Sequence, residues 1–217
     1  GSQLSDCISS RKDPLCLLFH DPQGRELVDD IYARSPLFMA GILYVSRTIT
    51  EIIRKFGASR PIRILQLGGG SGGPTNCLFD QLSNSANFPF EYTFSDKSSS
   101  MVSQAQSRFQ GCFMRFAQLD IEKEPRSLMQ GQYDIVISLN YLHRTWNLID
   151  SSTNSRALLR PTGVLCVWEI TRPLGWLDIV FGLLDEWWNF DDGRGHILTS
   201  EAIWFEMLRD GGFTWVG

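Results

Sequence analysis

The sequence predicts an α/β fold, a mostly parallel sheet with helices on both faces, preceded by an N-terminal helical segment. Three observations carry this expectation. Short apolar runs alternate with helical stretches from residue 62 onward. A glycine cluster, Gly68-Gly69-Gly70-Ser71-Gly72-Gly73, joins one such run to the helix after it. Polar residues recur where the runs end: Asp96, Asp120, Asn140 with His143, and Glu169.

The 217 residues suit one domain, with residues 1–60 as a helical, lid-like segment and 61–217 as the core. Residues 1–24 read as irregular, with Pro14 and Pro22. Gly24 to Phe56 reads as helical, broken near Ser35-Pro36, because proline lacks the N–H that a helix interior needs. Gly57 to Pro61 is a loop. Ile62–Leu67 is the first strand, and Pro74 fits the first turn of the helix that follows the glycines. Tyr92–Ser95 is the second strand and Ser98–Phe109 a polar helix. Phe113–Leu119, Tyr133–Leu139 and Val164–Trp168 are the third, fourth and fifth strands, with a helix from Asn147 to Leu159 between the last two. Helices are expected at Leu177–Phe190 and Ser200–Arg209, and the chain closes near a sixth strand.

Composition narrows the function. A net charge of −4 argues against a nucleic-acid backbone as main partner. Five scattered cysteines without a C-x-x-C pair argue against a zinc site or a disulfide framework and suit the cytoplasm. The most apolar stretch, Trp176 to Phe190, carries Asp178, Asp185 and Glu186 and is too short to span a membrane. No signal peptide opens the chain, and Gly1-Ser2 reads as an expression remnant.

In parallel sheets ligands bind beyond the carboxyl ends of the strands, so the polar strand ends share one crevice. Glycines there let backbone N–H groups approach a ligand closely. Gly68, Gly70 and Gly73 satisfy G-x-G-x-x-G, and Gly68, Gly70 and Gly72 equally satisfy G-x-G-x-G. A carboxylate at Asp96 is suited to two ribose hydroxyls, or alternatively to a helix N-cap. Asp120 is suited to an adenine amino group or to solvent. His143 faces the place of a reacting group, and Glu169 on the adjacent strand end would fix its tautomer. His196 reads as a loop or packing residue, and Trp187 and Trp188 as core or channel wall.

These segments together resemble the C-methylation domain of fungal iterative polyketide synthases, especially the non-reducing class. The resemblance runs through Gly24–Tyr32, Leu65–Thr75, Tyr92–Asp96, Leu119–Lys123, Asn140–Thr145 and Trp168–Thr171. Its most specific stretch is Phe181–Leu184 with Trp187-Trp188 and Asp192-Gly193-Arg194. The resemblance implies a Rossmann-like class I methyltransferase that uses S-adenosylmethionine. It implies cofactor contacts at Gln66, Gly68, Gly70, Gly72, Asp96, Asp120, Ile121 and Asn140, and catalytic roles for His143, Glu169 and Tyr32. The implied substrate is a β-ketoacyl thioester on the phosphopantetheine arm of an acyl carrier protein. His143 would deprotonate the carbon between its carbonyls, and that carbon would take the methyl group. The implied partners are the carrier protein and other polyketide synthase domains, with no nucleic acid and no membrane, and the chain is expected to be an excised segment. Three positions depart from the family: Gln66 stands for a glutamate, Lys97 for an apolar residue and Glu186 for a glycine. Gln66 and Lys97 also fit a decayed domain kept as a structural element. The G-x-G-x-x-G match alone fits a nicotinamide oxidoreductase.

Overall fold

A computed structural model describes residues 3–56, 60–85, 89–110 and 114–214. Its centre is a five-stranded sheet: β1 (Ile62–Leu67), β2 (Phe90–Asp96), β3 (Met114–Gln118), β4 (Tyr133–Leu139) and β5 (Leu159–Trp168). The strand order is β3-β2-β1-β4-β5 and every neighbouring pair is parallel. The order reverses between β1 and β4, which is where a doubly wound sheet opens its ligand crevice.

Strands buried on both faces lack apolar–polar alternation, as at Ile64-Leu65 of β1 and Ile135-Val136-Ile137 of β4. Ile62 and Ile64 of β1 join Ile135 and Ile137 of β4 on one face. Leu65, Leu67 and Val136 point to the other. The first face is covered by α3 (Pro36–Phe56) and α4 (Gly73–Ser85), the second by α6 (Leu148–Leu158) and α8 (Glu201–Asp210). Near β2 and β3, α5 (Ser99–Arg108) packs Val102 and Ala105 on Phe94.

The N-terminal segment is more ordered than its composition predicts. α1 (Leu4–Ile8) and a wide turn at Cys16–His20 precede α2 (Pro22–Arg34), whose N-cap Asp21 accepts from Gly24 N–H at 2.9 Å. The break before Pro36 falls as expected, with Ser35 extended at ψ 143. Length and composition alone would let Pro36–Lys55 cross a bilayer, which the sequence reading overlooked in favour of Trp176–Phe190. Packing gives it another role, because Ile42, Val45, Ile49 and Ile53 are buried against the sheet.

Two other expectations change. The expected helix Leu177–Phe190 is two pieces, α7 (Gly175–Phe181) and a single 3-10 turn at Asp185–Trp188, because the chain leaves the helix at Gly182. β5 begins at Leu159 rather than Val164, with an irregularity where Tyr133 pairs Leu159 and Ile135 pairs Val164. The other strand and helix boundaries agree within two residues. Gly57–Ser59, Phe113 and the expected sixth strand at residues 215–217 lie outside the described residues.

Candidate active site

The glycine loop leaves β1 at Leu67 in a conformation that other residues adopt only under strain. Gly68 has φ +58, Gly70 +56 and Gly72 +81. Close approach matters at Gly68, where a Cβ would lie 2.1 Å from the Tyr141 ring. At Gly70 a Cβ would meet nothing within 4 Å, so this backbone faces open space. Gly72 N–H closes the turn on Gly69 O at 3.0 Å.

Asp96 ends β2 and is buried. One carboxylate oxygen accepts from Gly70 N–H at 2.9 Å and the other from Ser98 N–H at 2.8 Å. The carboxylate braces the glycine loop, while the N-cap of α5 is Ser98 instead. Each oxygen keeps a second lone pair for a ligand.

Tyr141 joins this end of the site to the other. Its ring lies against Gly68, and its backbone N–H donates to Glu169 Oε1 at 3.0 Å. Burial pushes its hydroxyl pKa up, and the nearby charges of Asp96 and Asp120 push the same way. Tyr141 thus links the glycine loop at Gly68 to Glu169. At Asp120, burial would raise the carboxyl, but Lys123 at 2.8 Å, the Glu122 N–H and the charge of Lys97 outweigh it and lower the net value. Ile121 is fully buried among Leu119, Leu142 and Leu148, and its carbonyl accepts from Asn154.

Gln66 occupies a different place from its neighbours. By strand alternation it points to the α4 face, and it is 1% exposed. Its Oε1 accepts from Tyr92 OH at 2.7 Å and Thr75 Oγ1 at 2.9 Å. Lys97 is exposed.

Asn140 follows β4 at φ 51, an unusual backbone for a residue with a side chain. Its N–H donates to Trp168 O at 2.7 Å. Its Oδ1 is buried and has no hydrogen-bond partner among the described residues. That leaves the acceptor free to take a hydrogen bond from a ligand.

His143 lies in a 3-10 turn, Leu142–Arg144, directly after Asn140. Its Nδ1–H donates to Glu169 Oε2 at 2.7 Å, with the two side chains only 3% and 2% exposed. Glu169 Oε1 accepts the N–H groups of Tyr141 and His143 itself, at 3.0 and 3.4 Å. A carboxylate only accepts, so Nδ1 carries a proton, and in the neutral ring Nε2 carries the lone pair. Nε2 has no partner among the described residues.

Trp187 lies edge-on to the His143 ring at 6.2 Å and stacks on Phe181. Its indole N–H donates to Asp178, which also accepts from His196 Nε2–H at 3.1 Å. His196 is therefore one step removed from the site wall. Trp188 is exposed. Tyr32 of α2 packs on Phe38 at 4.8 Å and Phe181 at 6.2 Å. Burial raises its hydroxyl, which also lies within range of the charges on Arg144 and Glu169. By ring contacts among the described residues, Tyr32 is joined to His143 only through Phe181 and Trp187. The sequence reading missed Tyr141 as a link, and missed Asp192 and Arg194, whose side chains are entirely buried beneath the His143 turn. The motif Asn140–Thr145 held the signal for Tyr141. The motif Asp192-Gly193-Arg194 held the signal for the other two, without a role attached to either.

Comparison with known proteins accords with this geometry. The family model of the methyltransferase domain matches residues 65–165, from β1 through β5. The non-reducing polyketide synthase ausA of Emericella nidulans is 46% identical over all 217 residues. The solved citrinin polyketide synthase CMeT domain is 36% identical, with a TM-score of 0.95 over 100% of this chain and 57% of that one. The trans-methyltransferase CalH, solved with SAH, is 30% identical, with a TM-score of 0.76 over 98% of this chain and 58% of that one. The chain is an S-adenosylmethionine-dependent C-methyltransferase domain homologous to those of fungal non-reducing polyketide synthases. It spans 9% of the length of the synthase it matches. The open backbone at Gly70, the braced Asp96 and the orphaned Asn140 Oδ1 suit S-adenosylmethionine, which carries ribose hydroxyls and an ammonium donor.

Proposed function

We propose that this domain methylates the carbon between the two carbonyls of a β-ketoacyl thioester. The thioester would be presented on the phosphopantetheine arm of an acyl carrier domain, within a polyketide synthase. The observation that carries the reading is the buried bond from His143 Nδ1–H to Glu169, which leaves Nε2 ready to accept a proton. The C–H between two carbonyls is acidic enough for a histidine base. Its proton passes to Nε2 and its electron pair stays on the substrate as an enolate. Glu169 stabilises the imidazolium that forms. S-adenosylmethionine, when bound, supplies the methyl group that takes the proton's place.

The cofactor would be held by Gly68, Gly70 and Gly72 through backbone N–H groups and close approach. Asp96 would accept from the ribose hydroxyls, and Asp120 with the Ile121 N–H would meet the adenine. Asn140 Oδ1 would accept from the ammonium, with Gln66 supporting the methionine end through the Tyr92 and Thr75 network. Tyr32 would close over the substrate beside Glu169, with residues 1–60 acting as a lid-like segment on the 61–217 core. The free thiols of Cys7, Cys16, Cys77 and Cys166 suit a cytoplasmic setting.

The test is turnover with methyl-13C-labelled S-adenosylmethionine and a β-ketoacyl pantetheine thioester, read by carbon NMR. Label on the carbon between the carbonyls, absent with His143→Ala, is the expected result. Label on oxygen or nitrogen, or full turnover by His143→Ala, would sink the proposal.

A further inference from the structure

The His143 turn is held from below by a buried ion pair. Arg194 Nε donates to Asp192 Oδ1 at 2.7 Å, and both side chains are 0% exposed. The guanidinium then reaches up with its two remaining nitrogens. One donates to His143 O at 2.9 Å, the other to Thr145 O at 2.8 Å. Asp192 Oδ2 accepts from Leu148 N–H at 2.9 Å, which ties the pair to the first turn of α6. The guanidinium also lies over the Phe190 ring, 5.0 Å from its centroid.

Stability alone gives a weak reason for this arrangement. Removing two charges from water costs several kcal/mol, and well-packed apolar side chains often do as well. What an apolar replacement lacks is a rigid fork of donors. A planar guanidinium sets the spacing of the two carbonyls it binds, and an ammonium does not. One of those carbonyls belongs to the residue whose Nε2 is the proposed base, and the other lies two residues further along the same turn. Glu169 fixes the ring from its Nδ1 side and the backbone from the N–H of residues 141 and 143. Arg194 fixes the same turn from its carbonyl side. Between them His143 is held at its ring, its backbone N–H and its backbone carbonyl.

We infer that Arg194, oriented by Asp192, is a positioning residue for the His143 base. It touches neither substrate nor cofactor. It sets where Nε2 stands relative to the carbon being deprotonated, and a displacement of about 1 Å at a reacting group can cost about a hundredfold in rate. The inference rests on the reading of His143 and Glu169 given above.

The experiment compares Arg194→Lys, Asp192→Asn and Glu169→Gln with the unaltered chain. Three quantities are measured: kcat and KM with a β-ketoacyl pantetheine thioester, the dissociation constant of S-adenosylhomocysteine, and the low-field proton NMR signal of the His143 Nδ1–H. The expected result for Arg194→Lys is a kcat lowered by about a hundredfold. KM and the S-adenosylhomocysteine constant should stay within about threefold, and the low-field proton should shift or broaden. Asp192→Asn should show the same pattern in weaker form. Full turnover by Glu169→Gln would overturn the underlying reading of the base. Loss with Glu169→Gln but normal kcat with Arg194→Lys would leave that reading standing and overturn this inference. Weaker S-adenosylhomocysteine binding in step with lost turnover, or failure of both Arg194→Lys and Asp192→Asn to fold, would make the pair a structural tie and also overturn it.

Discussion

Replacing Glu169 by glutamine keeps its size and removes one acceptor oxygen. Glu169 now accepts three bonds, from His143 Nδ1–H on one oxygen and from the Tyr141 and His143 backbone N–H groups on the other. A glutamine must turn its single oxygen one way. Turned to the ring, it would set its NH2 against two buried backbone donors, each then unpaired at a cost of about 1–3 kcal/mol. Turned to the backbone, it satisfies both and presents the NH2 to Nδ1. The second arrangement wins on that comparison. Nδ1 then becomes the acceptor, the ring proton moves to Nε2, and the base is lost. Loss of tautomer in a comparable His–carboxylate pair lowers turnover by about four orders of magnitude. That corresponds to about 5 kcal/mol of barrier. The assay is single turnover with a β-ketoacyl pantetheine thioester and mass detection, with S-adenosylhomocysteine binding by calorimetry as control. Binding within about twofold of the unaltered chain shows that the cofactor end is intact. A variant that keeps more than about a tenth of the rate would refute the tautomer argument.

Three further outcomes test other parts of the site. Gly70→Ala places a methyl in open space at a positive φ, so it should cost about 1–2 kcal/mol of stability and weaken S-adenosylhomocysteine binding by tenfold or so. Gly68→Ala drives its methyl into the Tyr141 ring, so thermal unfolding should show a much larger loss. Asn140→Gly relieves the backbone at φ 51 but removes the orphaned acceptor; thermal stability should hold while calorimetry shows weaker cofactor binding. At the other end of the sheet, Asp134 accepts from Arg60 at 2.8 Å and from the Arg63 N–H at 2.9 Å. Burial would raise its carboxyl, but Arg60, the Arg63 N–H and Arg160 outweigh it and hold it below the ordinary range. Its stabilisation is therefore complete above the unfolded value of about 3.9 and drains as pH falls through the lowered folded value. Asp134→Asn should cost about 2 kcal/mol at neutral pH, since Arg60 is half exposed, and should flatten the acid loss seen by thermal melts across that window.

Much of this molecule could be read from its residues, for physical reasons that differ by element. β1 and β4 are buried on both faces, so their centres, Ile64-Leu65 and Ile135-Val136-Ile137, are apolar without alternation, and the glycine cluster after β1 has few other uses. Asp96, Asp120, Asn140, His143 and Glu169 stood out because polar residues at strand ends have no core to join. The helix break at Pro36 followed from covalent chemistry. Long-range pairing defeated the rest. Gln66 sits on the same strand as the loop, yet its partners are Tyr92 and Thr75 on the α4 face, a fact set by strand parity and sheet order together. Leu177–Phe190 kept a helical composition but is divided at Gly182, where the tertiary packing of Trp187 against Phe181 and His143 overrides local preference. Arg194 bonds to carbonyls 49 and 51 residues away, and no local pattern announces that.

Deprotonation by His143 is the central claim, and it is separable from methyl transfer. The measurement is deuterium exchange at the carbon between the carbonyls of a β-ketoacyl pantetheine thioester, in D2O, with S-adenosylhomocysteine filling the cofactor site. The account predicts exchange well above the solvent background with the unaltered chain, and background exchange alone with His143→Ala. Exchange by His143→Ala at the unaltered rate would contradict it and move the base elsewhere in the site.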